Sequence, residues 1–170
     1  MAILPIVTVP DPLLKKTSKP VEKVDDKLRA FMDDMLATMY DAPGIGLAAV
    51  QVGKLLRILV IDISPDGEDP DPRYYINPEI TWTSEDLNTY NEGCLSIPEQ
   101  YADIERPSEC KVSFIDYDGE KQEIHATGLL ATCIQHEMDH LNGIVFIDYL
   151  SKLKRGIYVR KVKKYVAEKE

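Results

Sequence analysis

The sequence predicts an α+β domain: a mainly antiparallel sheet packed around a central helix that carries His136, Glu137 and His140, with further helices near both ends of the chain. Three observations predict it. Segments near residues 25–42 and 128–143 repeat apolar residues at helical spacing. Between them lie strand-length runs broken by turn residues, one pair of which forms a hairpin. Nowhere does a regular βαβ alternation appear, so a parallel sheet is not expected. At 170 residues the chain reads as one domain, residues 1–170, long enough to bury a substantial core.

Each element follows from its local pattern. In DDKLRAFMDDMLATMYD, residues Leu28, Phe31, Met32, Met35, Leu36 and Met39 share one helical stripe, capped by Asp25 or Asp26 and ending before Pro43. This methionine-rich stripe reads as core packing. The glycine-containing stretch PGIGLAAVQVG follows, then RILVIDIS as a buried strand. Residues Pro65 to Pro72 (PDGEDPDP) are loop by composition. RYYINPEITWTSE and TYNEGCLSIP read as strand material interrupted by turns. In CKVSFIDYDGEKQEIHATG two alternating runs flank Asp118-Gly119, a dipeptide favoured by type I′ turns, and His125 lies on the second arm as a strand residue. GLLATCIQHEMDHLNG is helical, with Gly143 placed for a C′ position. IVFIDYL reads as short strand or turn, and a basic amphipathic helix starts near Ser151.

Composition narrows the function classes. Three cysteines, an odd number, without a secretion-like start argue for free thiols or metal thiolates in the cytoplasm and against a disulfide framework. The longest apolar runs, ILVIDI and IVFI, are too short to span a bilayer. A net charge of −9 disfavours non-specific adhesion to nucleic acid, DNA included, or to an anionic membrane. Against that background Lys152, Lys154, Arg155, Arg160, Lys161, Lys163 and Lys164 cluster near the end of the chain. They read as a solvated helix face or as a docking surface for something acidic.

The chemistry concentrates in TCIQHEMDHLNG. Four helical residues bring His140 back to within roughly 40° of His136, so both imidazoles can converge on one ion. Glu137, offset by about 100°, can reach over the ion's open side. HExxH is a zinc-binding pattern in which the glutamate acts as general base. A catalytic site wants a third protein ligand, and residue reasoning leaves several open. Asp148 is the nearest downstream carboxylate. Cys133 lies about 4.5 Å too far down the helix axis, and Cys110 reads as a small buried hydrophobe. Cys94, in the glycine- and proline-bracketed NEGCLSIP, is modestly favoured. Leu129, Cys133, His136 and His140 fall within about 60° of helical arc, so an apolar pocket can run from the ion along the helix.

Three stretches resemble the bacterial peptide deformylases. GIGLAAVQ (Gly44 to Gln51) fits the family pattern GxGxAAxQ, and EGCLS (Glu92 to Ser96) and QHEMDHLNG (Gln135 to Gly143) fit its other two motifs. The resemblance implies that Cys94, His136 and His140 bind one divalent ion: Fe2+ natively, with Zn2+, Ni2+ or Co2+ possible in isolated protein. It implies removal of the formyl group from the formyl-methionine of nascent peptides. The Gln51 side-chain amide and the Leu95 backbone N–H are the implied oxyanion donors, and the basic C-terminal helix is the implied contact with the ribosome.

One thiolate and two neutral imidazoles leave a divalent site with a formal charge of +1, which lowers the pKa of a coordinated water. Glu137 can take the water's proton and pass it to the departing amine. Leu129, Cys133 and Ile45 would line a methionine pocket. Gly44 and Gly46 let a peptide backbone approach, with strand-like hydrogen bonds to Ile45, Gly46 and Gly93. Two positions depart from the family. Tyr101 stands where many relatives have arginine, and Tyr90 stands where an aliphatic residue often lines the pocket. Glu92 and Arg106 can pair behind the Cys94 loop or form a plain surface ion pair. The competing readings are an HExxH metallopeptidase using Asp148, a non-catalytic metal module and a Cys94 thiol hydrolase.

Overall fold

The computed structural model describes residues 2–169. Helix α1 spans Asp26–Asp41, and Asp25 caps it by accepting from the Leu28 N–H. Strands β1 (Gly46–Ala48), β2 (Ile58–Ile61), β3 (Arg73–Thr83), β6 (Glu109–Ile115) and β7 (Lys121–Thr127) form a five-stranded sheet in the order β1-β2-β3-β6-β7. Strands β4 (Leu87–Cys94) and β5 (Ile97–Pro107) pair separately. All strand pairs are antiparallel. Helix α2 spans Gly128–Leu141 and α3 spans Lys152–Lys169. No helix among the described residues is long and apolar enough to cross a membrane.

Strand β2 shows why two helices sandwich the sheet. Successive side chains of a strand point to opposite faces, and all four residues of β2 are apolar and buried. Ile58 and Val60 pack with Met32, Met35 and Met39 of α1. Leu59 and Ile61 pack on the other face with Ala131, Ile134, Met138 and Leu141 of α2. The methionine stripe is therefore core. A third cluster joins Ile97, Ala102 and Ile104 of β5 to Val145, Phe146, Ile147 and Val162, tying α3 to the smaller sheet.

One local expectation needs revision. The β6–β7 connection is not a type I′ turn, because that turn needs positive φ at both central residues and only Gly119 has it (φ 89°). Instead the Gly119 N–H donates to the Asp116 carbonyl and the Asp116 N–H to the Glu120 carbonyl. This is a three-residue loop closed by a glycine bulge, held by the Asp116 carboxylate, which accepts from the Asp118 and Glu120 N–H groups. Within IVFIDYL, read as short strand or turn, Phe146–Tyr149 takes the turn alternative as a single 3-10 helix. Strand β5 spans Ile97–Pro107 and so takes in residues 101–107, to which the sequence reading assigned no element.

Candidate metal centre

Three elements meet at the HExxH segment. Helix α2 carries His136, Glu137 and His140; the last residue of β4 is Cys94; and the 3-10 turn after β1 carries Gln51. Ligand atoms of Cys94, His136 and His140 all lie within 4.8 Å of one another. The Cys94 Sγ is 3.4 Å from His140 Nε2. Of the donors that sequence reasoning left open, only Cys94 joins the histidines. Cys110 is buried in the sheet-helix core, and Cys133, though on α2, is outside the group. Asp148 is engaged elsewhere: its carboxylate accepts from the Val145 N–H and pairs with Lys15.

The donor set fits a divalent ion. One soft sulfur and two imidazole nitrogens suit zinc or a neighbouring transition metal. Glu137 Oε1 is buried with no hydrogen-bond partner, 3.9 Å from His136 Nε2 and 3.8 Å from His140 Nε2. A polar atom left unpaired at that depth is costly, and it is aimed at the space the three donors share. Gly46 makes this placement possible: a Cβ there would sit 2.7 Å from Glu137 Oε2.

Glu92 and Arg106 form a buried brace, not a surface pair. Arg106 Nε and Nη2 donate to the two Glu92 oxygens at 2.7 and 2.9 Å, with both side chains about 95% buried. The same carboxylate sits 2.8 Å from His136 Nδ1, which places the ring proton there and leaves Nε2 as a ligand atom. Burial alone would raise the Glu92 pKa, but the bonds from His136 and Arg106 outweigh it and hold the group ionised. The brace continues to residues that no local signal marked. Arg106 Nη1 donates to Asp139 Oδ2 (2.9 Å), and the Tyr149 hydroxyl donates to the same oxygen (2.6 Å).

Gln51 is 1% exposed and rigidly oriented. Its Oε1 accepts from the Ala48 N–H (2.9 Å), so its amide NH2 must point the other way, to Ser96 Oγ (3.0 Å) and Cys94 Sγ (3.4 Å). Ser96, fully buried beside Cys94, is a further residue that the sequence reading passed over. Leu95 shares the two-residue β4–β5 turn with Ser96, its side chain against Gly44, where a Cβ would meet Leu95 Cδ1 at 2.8 Å.

A cleft of about 630 Å³ opens on these groups. It is lined by every predicted pocket residue: Gly44, Ile45, Gly46, Gly93, Leu129 and Cys133. Strand β1 is an edge strand. The Asp62 N–H already donates to the Ile45 carbonyl (2.9 Å). Gly46, paired opposite Ile61, is therefore at a non-hydrogen-bonded position and turns its N–H and C=O to the cleft side. Tyr90 also lines the cleft, as do Ile6, Glu99, Tyr101, Thr132 and Tyr165, of which only Tyr101 drew notice in the sequence.

Burial dominates the local electrostatics. It pushes the Glu137 carboxyl up to about 7, with the charges of His136 and Arg106 opposing and those of Glu92 and Asp139 assisting. In metal-stripped protein this predicts a pH-dependent stability term. Because the folded pKa lies above the unfolded one, the term is fully present below the ordinary glutamate value and is lost as pH rises through about 7. Its size is on the order of 3 kcal/mol. Urea unfolding of the metal-free chain across that window, minus the same profile for Glu137→Gln, should show this loss. Parallel profiles would contradict it.

A cysteine sulfur, two imidazoles and a buried carboxyl group around one point, beneath a largely apolar cleft, define a metal-dependent hydrolase. Comparison with known proteins narrows that class. Residues 3–156 match the family model for polypeptide deformylase. The peptide deformylase of Mesorhizobium japonicum is 57% identical over 99% of this chain and 96% of its own length. The crystal structure of peptide deformylase from Ehrlichia chaffeensis superposes with a TM-score of 0.94 at 45% identity, covering 99% of each chain. A second structure from that organism, in complex with actinonin, gives 0.93 at 47% identity over 97% of this chain and 98% of its own. The chain belongs to the polypeptide deformylase family.

Proposed function

We propose that this chain, acting as a single catalytic domain, hydrolyses the formyl group from the N-terminal formyl-methionine of newly made polypeptides, releasing formate. Cys94, His136 and His140 hold one divalent ion, Fe2+ in the cell, with Zn2+, Ni2+ or Co2+ taking its place in isolated protein. The observation that carries this reading is the convergence of these three donors within 4.8 Å, with the unpartnered Glu137 Oε1 beside them.

When bound, the ion supplies Lewis acidity, lowering the pKa of a coordinated water and polarising the formyl carbonyl. The chain's own residues do the rest. Glu137 takes a proton from the attacking water as its oxygen bonds to the formyl carbon. The carbonyl oxygen gains charge and is met by the Gln51 amide N–H and the Leu95 backbone N–H. Glu137 then gives the proton to the methionine nitrogen as the C–N bond breaks, so one carboxylate serves as base and then acid. Leu129, Cys133 and Ile45 receive the methionine side chain, and the backbone of Gly44, Gly46 and Gly93 aligns the peptide as an added strand. Glu92, through Nδ1, keeps His136 in its metal-binding tautomer.

Mass spectrometry of formyl-methionyl peptides incubated with metal-loaded protein tests the reading. Loss of the formyl mass with formate release is expected, and cleavage at internal bonds alone would replace it with the metallopeptidase reading. That second reading lacks its ligand, since Asp148 is committed to Val145 and Lys15. The reaction takes place in the cytoplasm, where nascent chains are made. The exposed basic residues of α3 suit ribosomal RNA. Deleting residues 155–170 should abolish co-sedimentation with ribosomes, and unchanged co-sedimentation would remove the docking role.

A further inference from the structure

We propose that Val7 and Val9 are positioning residues for the reaction: their backbone N–H groups set the spacing of the two oxyanion donors. This rests on the deformylase reading above, which assigns those donors to the Gln51 side chain and the Leu95 N–H. The donors sit on different elements. Gln51 belongs to the 3-10 turn Ala49–Val52, whereas Leu95 lies in the two-residue turn between β4 and β5. One stretch of the N-terminal segment ties the two together. The Val7 N–H donates to the Gln51 carbonyl (2.7 Å), and the Val9 N–H donates to the carbonyl of Ser96, next to Leu95 (3.0 Å). Two residues of chain span at most roughly 7 Å, so the segment limits how far the two turns can separate.

The segment is itself held at both ends. The Leu4 N–H donates to Thr38 Oγ1 (2.8 Å), a buried hydroxyl of α1 that donates in turn to the Asp34 carbonyl (2.7 Å). Val9 is buried with Ile97 and Phe146, and Val7 packs against the same cluster, as does Cys94. Ile6, between these anchors, lines the catalytic cleft. Gln51 and Ser96 are at most 1% exposed, so a carbonyl deprived of its N–H there has no solvent to turn to. The Gln51 amide also reaches Ser96 Oγ and Cys94 Sγ, but an N–H of that amide must meet the substrate's oxygen. The bonds from Val7 and Val9 use no group that the reaction needs. They therefore keep the two turns in place while the Gln51 amide changes partner, as a preorganised oxyanion site requires.

The test replaces valine by its α-hydroxy acid at position 7 or 9 of the full chain, which turns one amide into an ester. The N–H is lost and the side chain kept. In metal-loaded protein, formate release from formyl-Met-Ala-Ser should show kcat lowered about three- to tenfold by each ester, the reach of one hydrogen bond. KM and metal content should stay within about twofold of the unaltered protein, since the donors act on charge that develops in the transition state. A Gln51→Leu background then separates the two positions. Val7 acts through Gln51, so its ester should cost less than about twofold there, whereas the Val9 ester, acting through Leu95, should keep its effect. A general loosening of the site would not divide them in this way. A loss below threefold from either ester, a loss that appears in KM or metal content, or equal behaviour of the two in Gln51→Leu overturns the positioning role while leaving the deformylase reading intact. Absence of formate from the unaltered protein overturns both.

Discussion

Glu137→Gln will lower kcat for deformylation by about 10²- to 10⁴-fold, the usual contribution of a positioned acid–base group, while leaving metal content and the fold in place. Glutamine keeps the shape that Gly46 accommodates but can neither take the water's proton nor return it to the amine. The side chain is 4% exposed, so bulk water cannot substitute for it. The substitution also removes the only group whose pKa burial raises to about 7 at this site, so the metal-free variant should be more stable than the parent above neutral pH. Steady-state kinetics with metal analysis on the same sample checks the effect. Activity within threefold of the parent would exclude Glu137 as the base.

Gln51→Leu is expected to cost about 10²- to 10³-fold in kcat, as loss of one oxyanion donor does elsewhere, with KM much less affected. A donor that strengthens only as charge develops on the carbonyl oxygen stabilises the transition state and not the bound substrate. The orientation of Gln51 supports this division. Its Oε1 is fixed by the Ala48 N–H, so the amide N–H groups are presented to the Cys94 side without reorganisation. A variant that raised KM and spared kcat would instead make Gln51 a ground-state contact.

Which features were readable before the fold was seen follows from how local their causes are. Helix α2 and its two histidines were, because 3.6-residue periodicity and the HExxH spacing are contained in one segment. The methionine stripe of α1 was legible for the same reason. Cys94 was not decided by its residues alone, since its thiol reaches the histidines only after a separate two-stranded sheet folds over α2. Strand β5 shows the same limit. Its alternation places Ala102, Ile104 and Arg106 on the buried face, and an arginine there reads as surface until Glu92, on the neighbouring strand, supplies its partner. Asp139 and Tyr149 complete that brace from a helix and a 3-10 turn, with no sequence signal linking them. The Asp118-Gly119 turn was misread because the capping carboxylate of Asp116 selects a different loop geometry than the dipeptide suggests.

The central claim is that a thiol at the end of β4 completes the ligand set begun by two imidazoles of α2. Metal stoichiometry of Cys94→Ala and Cys110→Ala, prepared anaerobically side by side with formate release measured on the same samples, tests it most directly. Cys94→Ala should lose tight binding of the single ion together with activity, while Cys110→Ala keeps about one equivalent per chain and remains active. Equal metal content in the two variants, or an active Cys94→Ala protein, would contradict it.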